Sequence, residues 1–372
     1  MEIVFRVDAS VEIGTGHVMR CITLAEKLFK SGANITFICR DHPGNLCEWI
    51  KKKGFKVICL KRPQSPISPF RGGDTNLLGV TQLDDAEETF LHLKAIGGCE
   101  WLVVDHYHLD SNWEKFVGIL AKKIMVIDDL ENRFHECEIL LDQNYHIENE
   151  SRYAKLVPEY CQKLLGPEFA ILRPEFLNNR ILRLEDKPKN KKLMIFYGGT
   201  DSGNETLKAL KAIKSMGRND IYVDVIFGKN YPFKRASLDF AFEMSNVICH
   251  NFINNMASLM AKADLYLGAA GVTTWERCCI GLPSVVISVA NNQIQPMKHL
   301  QEAGVVNYLG VGGEVGIDQI ASTVESLIDC PSRLFSMRER ALLMVDGHGA
   351  QRCAMAIMNY GDKNGKKLQN NI

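Results

Sequence analysis

At 372 residues the chain exceeds one ordinary domain of about 150 residues, so two domains are the leading count. Lys+Arg and Asp+Glu both number 44, a balance that excludes the broad basic field on which nucleic-acid binding depends. The 12 cysteines are scattered with no C-x-x-C pair, which argues against a zinc or disulfide framework.

The first residues run straight into a strand pattern without a signal-peptide core, and no apolar run reaches about 18 residues. A soluble cytoplasmic protein without membrane insertion is expected. In chain order, IVFRV (3–7) reads as a strand, and Val18, Cys21, Ile22, Ala25, Leu28 and Phe29 follow helical spacing up to Gly32. ITFIC (35–39), a helix around 46–53, KVICL (56–60), a Pro-rich stretch at 61–76 and a helix near 84–96 follow. WLVVD (101–105), a helix near 112–121, KIMVID (123–128) and EILLD (138–142) complete the first half. After the charged segment EDKPKNKK (185–192), which suits a linker, the pattern restarts. LMIFY (193–197) leads through GGTDSGN into a helix near 205–216, then IYVDVIF (221–227), NVICH (246–250) and a helix near 255–262. DLYLG (264–268), a turn and helix at AAGVTTWERCCIG and PSVVISV (283–289) come next, and helices are expected over most of 292–359. Strands alternating with helices imply parallel sheets. The expected architecture is α/β: two Rossmann-like domains, 1–180 and 190–360, facing a central cleft.

Each half opens with a strand, a glycine turn and a helix. IGTGH (13–17) and GGTDSGN (198–204) both lack the third glycine of G-x-G-x-x-G and the Lys-Ser/Thr of a P-loop. Each is a weak signal alone, since a tight turn without a ligand explains it equally well. What Gly14, Gly16 and Gly199 offer is backbone beside a helix N-terminus, where amide groups and the dipole favour an anion.

His17 stands in the first turn of its helix, a place where most histidines are surface or capping residues. Three features favour a catalytic role. The position follows the carboxyl end of the first strand, where α/β sheets bind ligands. The glycines leave the ring accessible, and the positive end of a helix favours neutral imidazole, the form that accepts a proton. Asp8, ending the same strand, could orient that ring, bind a substrate hydroxyl or simply make a turn bond. In the block 268–293, Glu276 sits where a helix dipole favours a carboxylate, and the same carboxylate could grip ribose hydroxyls. Asn292 and Gln293 follow a strand end, in place to bond a sugar. Asp105, His106, His108, Asp110, Asp128 and Asp129 could in principle ligate zinc, but no H-E-x-x-H or cysteine set supports it, and no metal is expected. Tyr107 would place a phenol at a strand end.

Several blocks carry a resemblance: RVDAS–IGTGHVMRCITLAEKL, DHYHLD, LGPEFAILRPEF, GGTDSGN and the block around WE at 275–276. Together, over about residues 1–305, the chain resembles the PseG family. These are UDP-2,4-diacetamido-2,4,6-trideoxy-β-L-altropyranose hydrolases of bacterial pseudaminic acid biosynthesis, with a MurG-like GT-B fold. The resemblance implies that His17 activates water, that UDP leaves by inverting C–O cleavage without a cofactor or metal, and that Glu276 holds the ribose. It also implies that Tyr107, Arg173, Asn292 and Gln293 line the sugar pocket; an ion pair of Arg173 with Glu175 is the plain alternative. The implied partner is a UDP-sugar, and a UDP-sugar glycosyltransferase is the competing reading.

Overall fold

The computed structural model describes residues 1–62, 77–185, 191–251, 253, 255–271 and 273–361. Most of the Pro-rich stretch at 61–76, the middle of the 185–192 segment and the C-terminal tail lie outside them. By contacts the chain divides into two compact units.

The N-terminal unit comprises Met1–Asn144, Glu148–Ile171 and the chain from His348 on. Its elements run β1 (Glu2–Val7), α1 (Gly16–Lys30), β2 (Asn34–Arg40), α2 (Cys47–Lys52), β3 (Lys56–Leu60), α3 (Gln82–Ala95), β4 (Cys99–Asp105), α4 (Ser111–Val117), β5 (Ala121–Ile127), β6 (Ile139–Asp142) and β7 (Gln162–Leu165). The strands form one parallel sheet in the order β3-β2-β1-β4-β5-β6-β7. Continuous apolar runs make this possible, because a parallel sheet is covered on both faces. Alternate residues divide between the two sides. Ile3, Phe5 and Val7 of β1 join Val18, Cys21, Leu24 and Leu28 of α1 in one core. Val4 joins Leu93 of α3 and Trp113 of α4 in another. The first helix stops where expected, at Gly32, whose φ of 91° suits glycine.

The C-terminal unit comprises Tyr145–Ile147 and Leu172–Gly347. It contains α5 (Pro174–Glu185), β8 (Lys191–Phe196), α6 (Glu205–Ser215), β9 (Ile221–Phe227), α7 (Lys234–Phe242), β10 (Val247–Asn251), α8 (Met256–Lys262), β11 (Leu265–Ala269), α9 (Thr273–Ile280), β12 (Ser284–Ser288), α10 (Ile294–Glu302), β13 (Val306–Val311), α11 (Ile317–Ile328) and α12 (Pro331–Met344). Its parallel sheet has the order β10-β9-β8-β11-β12-β13. Gly268 in β11 is fixed by close approach: a Cβ there would lie 1.9 Å from the Phe196 carbonyl oxygen, which accepts the Tyr266 hydroxyl at 2.6 Å.

Helices fill most of 292–359 as expected, but Val306–Val311 between them forms the edge strand β13 beside β12. The units also divide after Ile171, not at 180–190, and the last helix, α13 (Gly349–Met358), packs on α1 in the N-terminal unit. Ala350, Cys353, Ala354 and Ile357 carry it there by joining the α1 core. No helix among the described residues is long and apolar enough to cross a membrane.

Candidate active site

β1 and β4 are neighbours in the middle of the N-terminal sheet, and Val7 pairs with Asp105 at their carboxyl ends. Trp101 and Val103 of β4 face the α1 core, so the same alternation turns Asp105 toward α1. There it meets His17, with Nδ1 of the ring 2.6 Å from Asp105 Oδ1. One helical turn on, Arg20 binds the same carboxylate through two bonds, Nε to Oδ2 and Nη2 to Oδ1, each 2.6 Å. A bidentate guanidinium–carboxylate pair is rigid as well as strong. Burial alone would raise the Asp105 pKa, but the charges and hydrogen bonds of Arg20 and His17 outweigh it and hold the carboxyl well below its usual range. In the tautomer that carries Nδ1–H, the ring donates to the ionised Asp105 and keeps a lone pair on Nε2; Arg20 Nη2 lies 3.1 Å from the same Nδ1.

Tyr107 meets His17 edge to face, with ring centroids 4.8 Å apart at 86°. Both line a small depression with Ile13, Leu77, Asp105, His106 and His108. Burial, reinforced by Asp129, pushes the Tyr107 phenol well above its usual pKa, so it is protonated and can donate. The turn before α1 is built by Ser10, whose Oγ accepts from the amides of Glu12 (3.0 Å) and Ile13 (2.9 Å). Gly14 follows at φ 80° and closes the turn with its amide on the Ser10 carbonyl at 2.9 Å. Thr15 caps α1 without a side-chain bond, and the first turn holds no acidic residue. Gly16 begins the helix.

Asp8 does not orient His17. The β1 alternation turns it to the opposite face, where it is 1% exposed and bound by Arg6 at 2.6 and 2.9 Å and by the Arg40 amide at 2.6 Å. Asp85 joins Arg6 and Arg40 to complete that buried network. In this network Asp8 is a counter-ion of Arg6. Sequence reading missed Asp105 as the orienting group and Arg20 as its anchor. The i, i+3 spacing of His17 and Arg20 was the available signal.

Of the other residues weighed as metal ligands, Asp110, Asp128 and His106 make local structural bonds. Asp110 accepts from the Asn112 amide at 2.8 Å to cap α4, and Asp128 takes the Tyr153 hydroxyl at 2.7 Å. His106 Nδ1 accepts from the His108 amide at 3.1 Å. Among the described residues no group of three or more His, Cys, Asp or Glu is arranged to hold a metal ion.

In the C-terminal unit, Glu276 lies in the first turn of α9, its side chain 12% exposed. Burial pushes its carboxyl up to about 7, against the pull of Arg173, whose Nη2 lies 3.3 Å from Oε1. Arg173 also pairs with Glu175 at 2.9 Å and lies over the Phe176 ring. The Glu175 ion pair, the plain alternative for Arg173, is therefore present, with Glu276 as a second partner. Gln293 folds back, its Oε1 accepting from the Val289 amide at 2.9 Å, and its Nε2 lies 3.9 Å from the Cβ position of Gly271. Asn292 beside it is exposed. Val272 lies outside the described residues.

The second glycine turn is filled differently. Gly198 has φ 90°, and the Gly199 carbonyl accepts from the Asn230 amide at 3.0 Å. Asp201, at φ 44°, turns its carboxylate onto the start of α6 and accepts from the amides of Glu205 and Thr206, each at 2.9 Å. That helix start already has an anion from the chain.

Residues 177–354 match the family described as Glycosyltransferase family 28 C-terminal domain. The UDP-2,4-diacetamido-2,4,6-trideoxy-beta-L-altropyranose hydrolase of Campylobacter jejuni is 29% identical over 305 residues, 82% of this chain and 97% of that protein. The uncharacterized protein MJ1062 of Methanocaldococcus jannaschii is 26% identical over 297 residues, 77% of this chain but 55% of its own length. In three dimensions, Acinetobacter baumannii MurG superposes with a TM-score of 0.69 at 12% identity, covering 96% of this chain and 99% of MurG. The chain is thus a homologue of the PseG-type UDP-sugar hydrolases, with a glycosyltransferase family 28 C-terminal domain and a MurG-like GT-B fold.

Proposed function

We propose that this protein hydrolyses a UDP-linked 2,4-diacetamido-2,4,6-trideoxy-β-L-altrose, in pseudaminic acid biosynthesis, with water as the acceptor. The observation that carries the reading is the His17–Asp105–Arg20 arrangement, with Nδ1 at 2.6 Å from a doubly anchored carboxylate. The name and full-length similarity of the Campylobacter relative support the substrate class.

In this reading Nε2 of His17 takes a proton from water as its oxygen attacks the anomeric carbon. The C–O bond to the β-phosphate breaks on the opposite face, so the configuration inverts and UDP leaves with the electron pair. UDP is a good leaving group, so a positioned base and stabilised diphosphate charge matter more than a strong acid. The step needs no cofactor or metal. Gly14 and Gly16 leave backbone open beside the sugar, and Tyr107 donates from its phenol. The C-terminal unit supplies the nucleotide contacts, Glu276 accepting from the ribose hydroxyls and Gly199 lying on the diphosphate side, while Arg173, Asn292 and Gln293 are assigned to the sugar. Nucleotide sugars are cytoplasmic metabolites, and the reading places the enzyme there.

A glycosyltransferase is the second reading, favoured by the family 28 domain match over residues 177–354. The test is to supply UDP-2,4-diacetamido-2,4,6-trideoxy-β-L-altropyranose with EDTA and follow UDP and sugar by NMR. Equal release of UDP and free sugar supports hydrolysis. Release only when a sugar or lipid acceptor is added supports transfer, and loss of release with EDTA overturns the metal-free step.

A further inference from the structure

Beyond the UDP-sugar chemistry, we infer that Cys137 and Cys161 form an oxidative modification site, a dithiol that a hydroperoxide converts to a disulfide. The two sulfurs lie 3.7 Å apart, one just before β6 and the other just before β7. Bonds on either side hold the two segments in place. Gln162 donates its amide to the Glu138 carbonyl at 2.8 Å, and the Tyr160 hydroxyl donates to Glu136 at 2.6 Å. A disulfide needs sulfurs about 2.05 Å apart, so the 3.7 Å pair must close by a further ~1.7 Å.

The two thiols are unequal in a way that assigns their roles. Cys137 is 1% exposed, whereas Cys161 is partly accessible. The hydrogen bond from Cys137 lowers the Cys161 pKa, and the same contact with burial raises that of Cys137. Reactivity follows the thiolate and its access. Cys161 therefore attacks the peroxide oxygen as thiolate, giving a sulfenic acid and hydroxide. The Cys137 sulfur then attacks the Cys161 sulfur, forms the S–S bond and releases the sulfenic oxygen as water with the thiol proton. In total two thiols are oxidised and one peroxide is reduced to two waters. The bond would tie the edge strand β7 to β6, and none of the His17 contacts involves either cysteine.

The test uses the full chain with hydrogen peroxide, quenched in iodoacetamide and urea and mapped without reduction. The expected product is one peptide pair linking Cys137 to Cys161, two hydrogens lighter, with two of the 12 thiols lost to alkylation and recovered by dithiothreitol. Cys161→Ser should abolish the link and leave Cys137 fully alkylated, while Cys137→Ser should leave Cys161 trapped as sulfenic acid or its further oxides. Recovery of both residues as alkylated thiols while other cysteines oxidise would overturn the assignment. So would oxidation of Cys161 to sulfinic acid in the wild-type chain without any link.

Discussion

The two glycine turns differ in what meets the first amides of the helix behind them. At α6 the Asp201 carboxylate takes the amides of Glu205 and Thr206, so the chain caps its own helix. At α1 the cap residue Thr15 gives no side-chain bond, and the first turn carries His17 instead of an acid. A strand–glycine–helix turn is thus not in itself an anion site; the side chain that follows decides whether the helix end is filled or left for a ligand. The two carboxylates of the candidate site contrast in the same way. Asp105 is buried but held ionised by Arg20 and His17, whereas Glu276 is buried against a single, longer Arg173 contact and pushed up to about 7. The first stays ionised and holds the His17 ring, and the second responds to pH.

The contrast can be broken one residue at a time. His17→Gln should lower kcat by about a hundred- to ten-thousand-fold with UDP affinity unchanged by calorimetry, because it removes only the base. A variant with near-normal kcat would remove His17 from the chemistry. Asp105→Asn should lower kcat by roughly a hundredfold, again with little change in UDP affinity, since the amide no longer selects the Nδ1–H tautomer. A KM effect without a kcat effect would show that Asp105 acts on binding.

Glu276 sharpens the comparison through pH. Its ionised form exists above about 7 and is lost as pH falls through that value. If the carboxylate accepts from ribose, UDP binding should weaken by about tenfold between pH 8 and pH 6, the change in the ionised fraction. Glu276→Gln should bind UDP more weakly at pH 8 and show a flat profile. An unchanged slope in that variant would place the titration elsewhere. The smallest effect belongs to Asp201→Ala, which should cost about 1 kcal/mol in urea unfolding through loss of the α6 cap, with UDP binding retained. Abolished UDP binding would mean that Asp201 contacts the ligand.

Much of the fold was legible because its strands are continuous Val, Ile and Leu runs separated by helical spacing and glycine stops. That same feature hid the partner of His17. With both faces of β1 buried, the residues alone do not say whether the odd or even positions face α1. Asp8 was therefore as plausible as Asp105, although it points the other way. Asp105 is 88 residues from His17, and only the pairing of β1 with β4 brings it close. The short β7 and the bulged β13 lack a clear apolar run, and α13 looks like the end of the second half because its return to α1 is a long-range packing choice. The nearness of His17 and Tyr107 was legible from their places beyond the ends of two strands, as was the pairing of Arg173 with Glu175.

The central claim is that His17 delivers water to the anomeric carbon. The direct measurement is to run the reaction in 18O-labelled water and locate the label by mass spectrometry in both products. The account predicts one 18O in the anomeric hydroxyl of the freshly released sugar and none in UDP. Label in the β-phosphate of UDP would mean that water attacks phosphorus instead, and would contradict it.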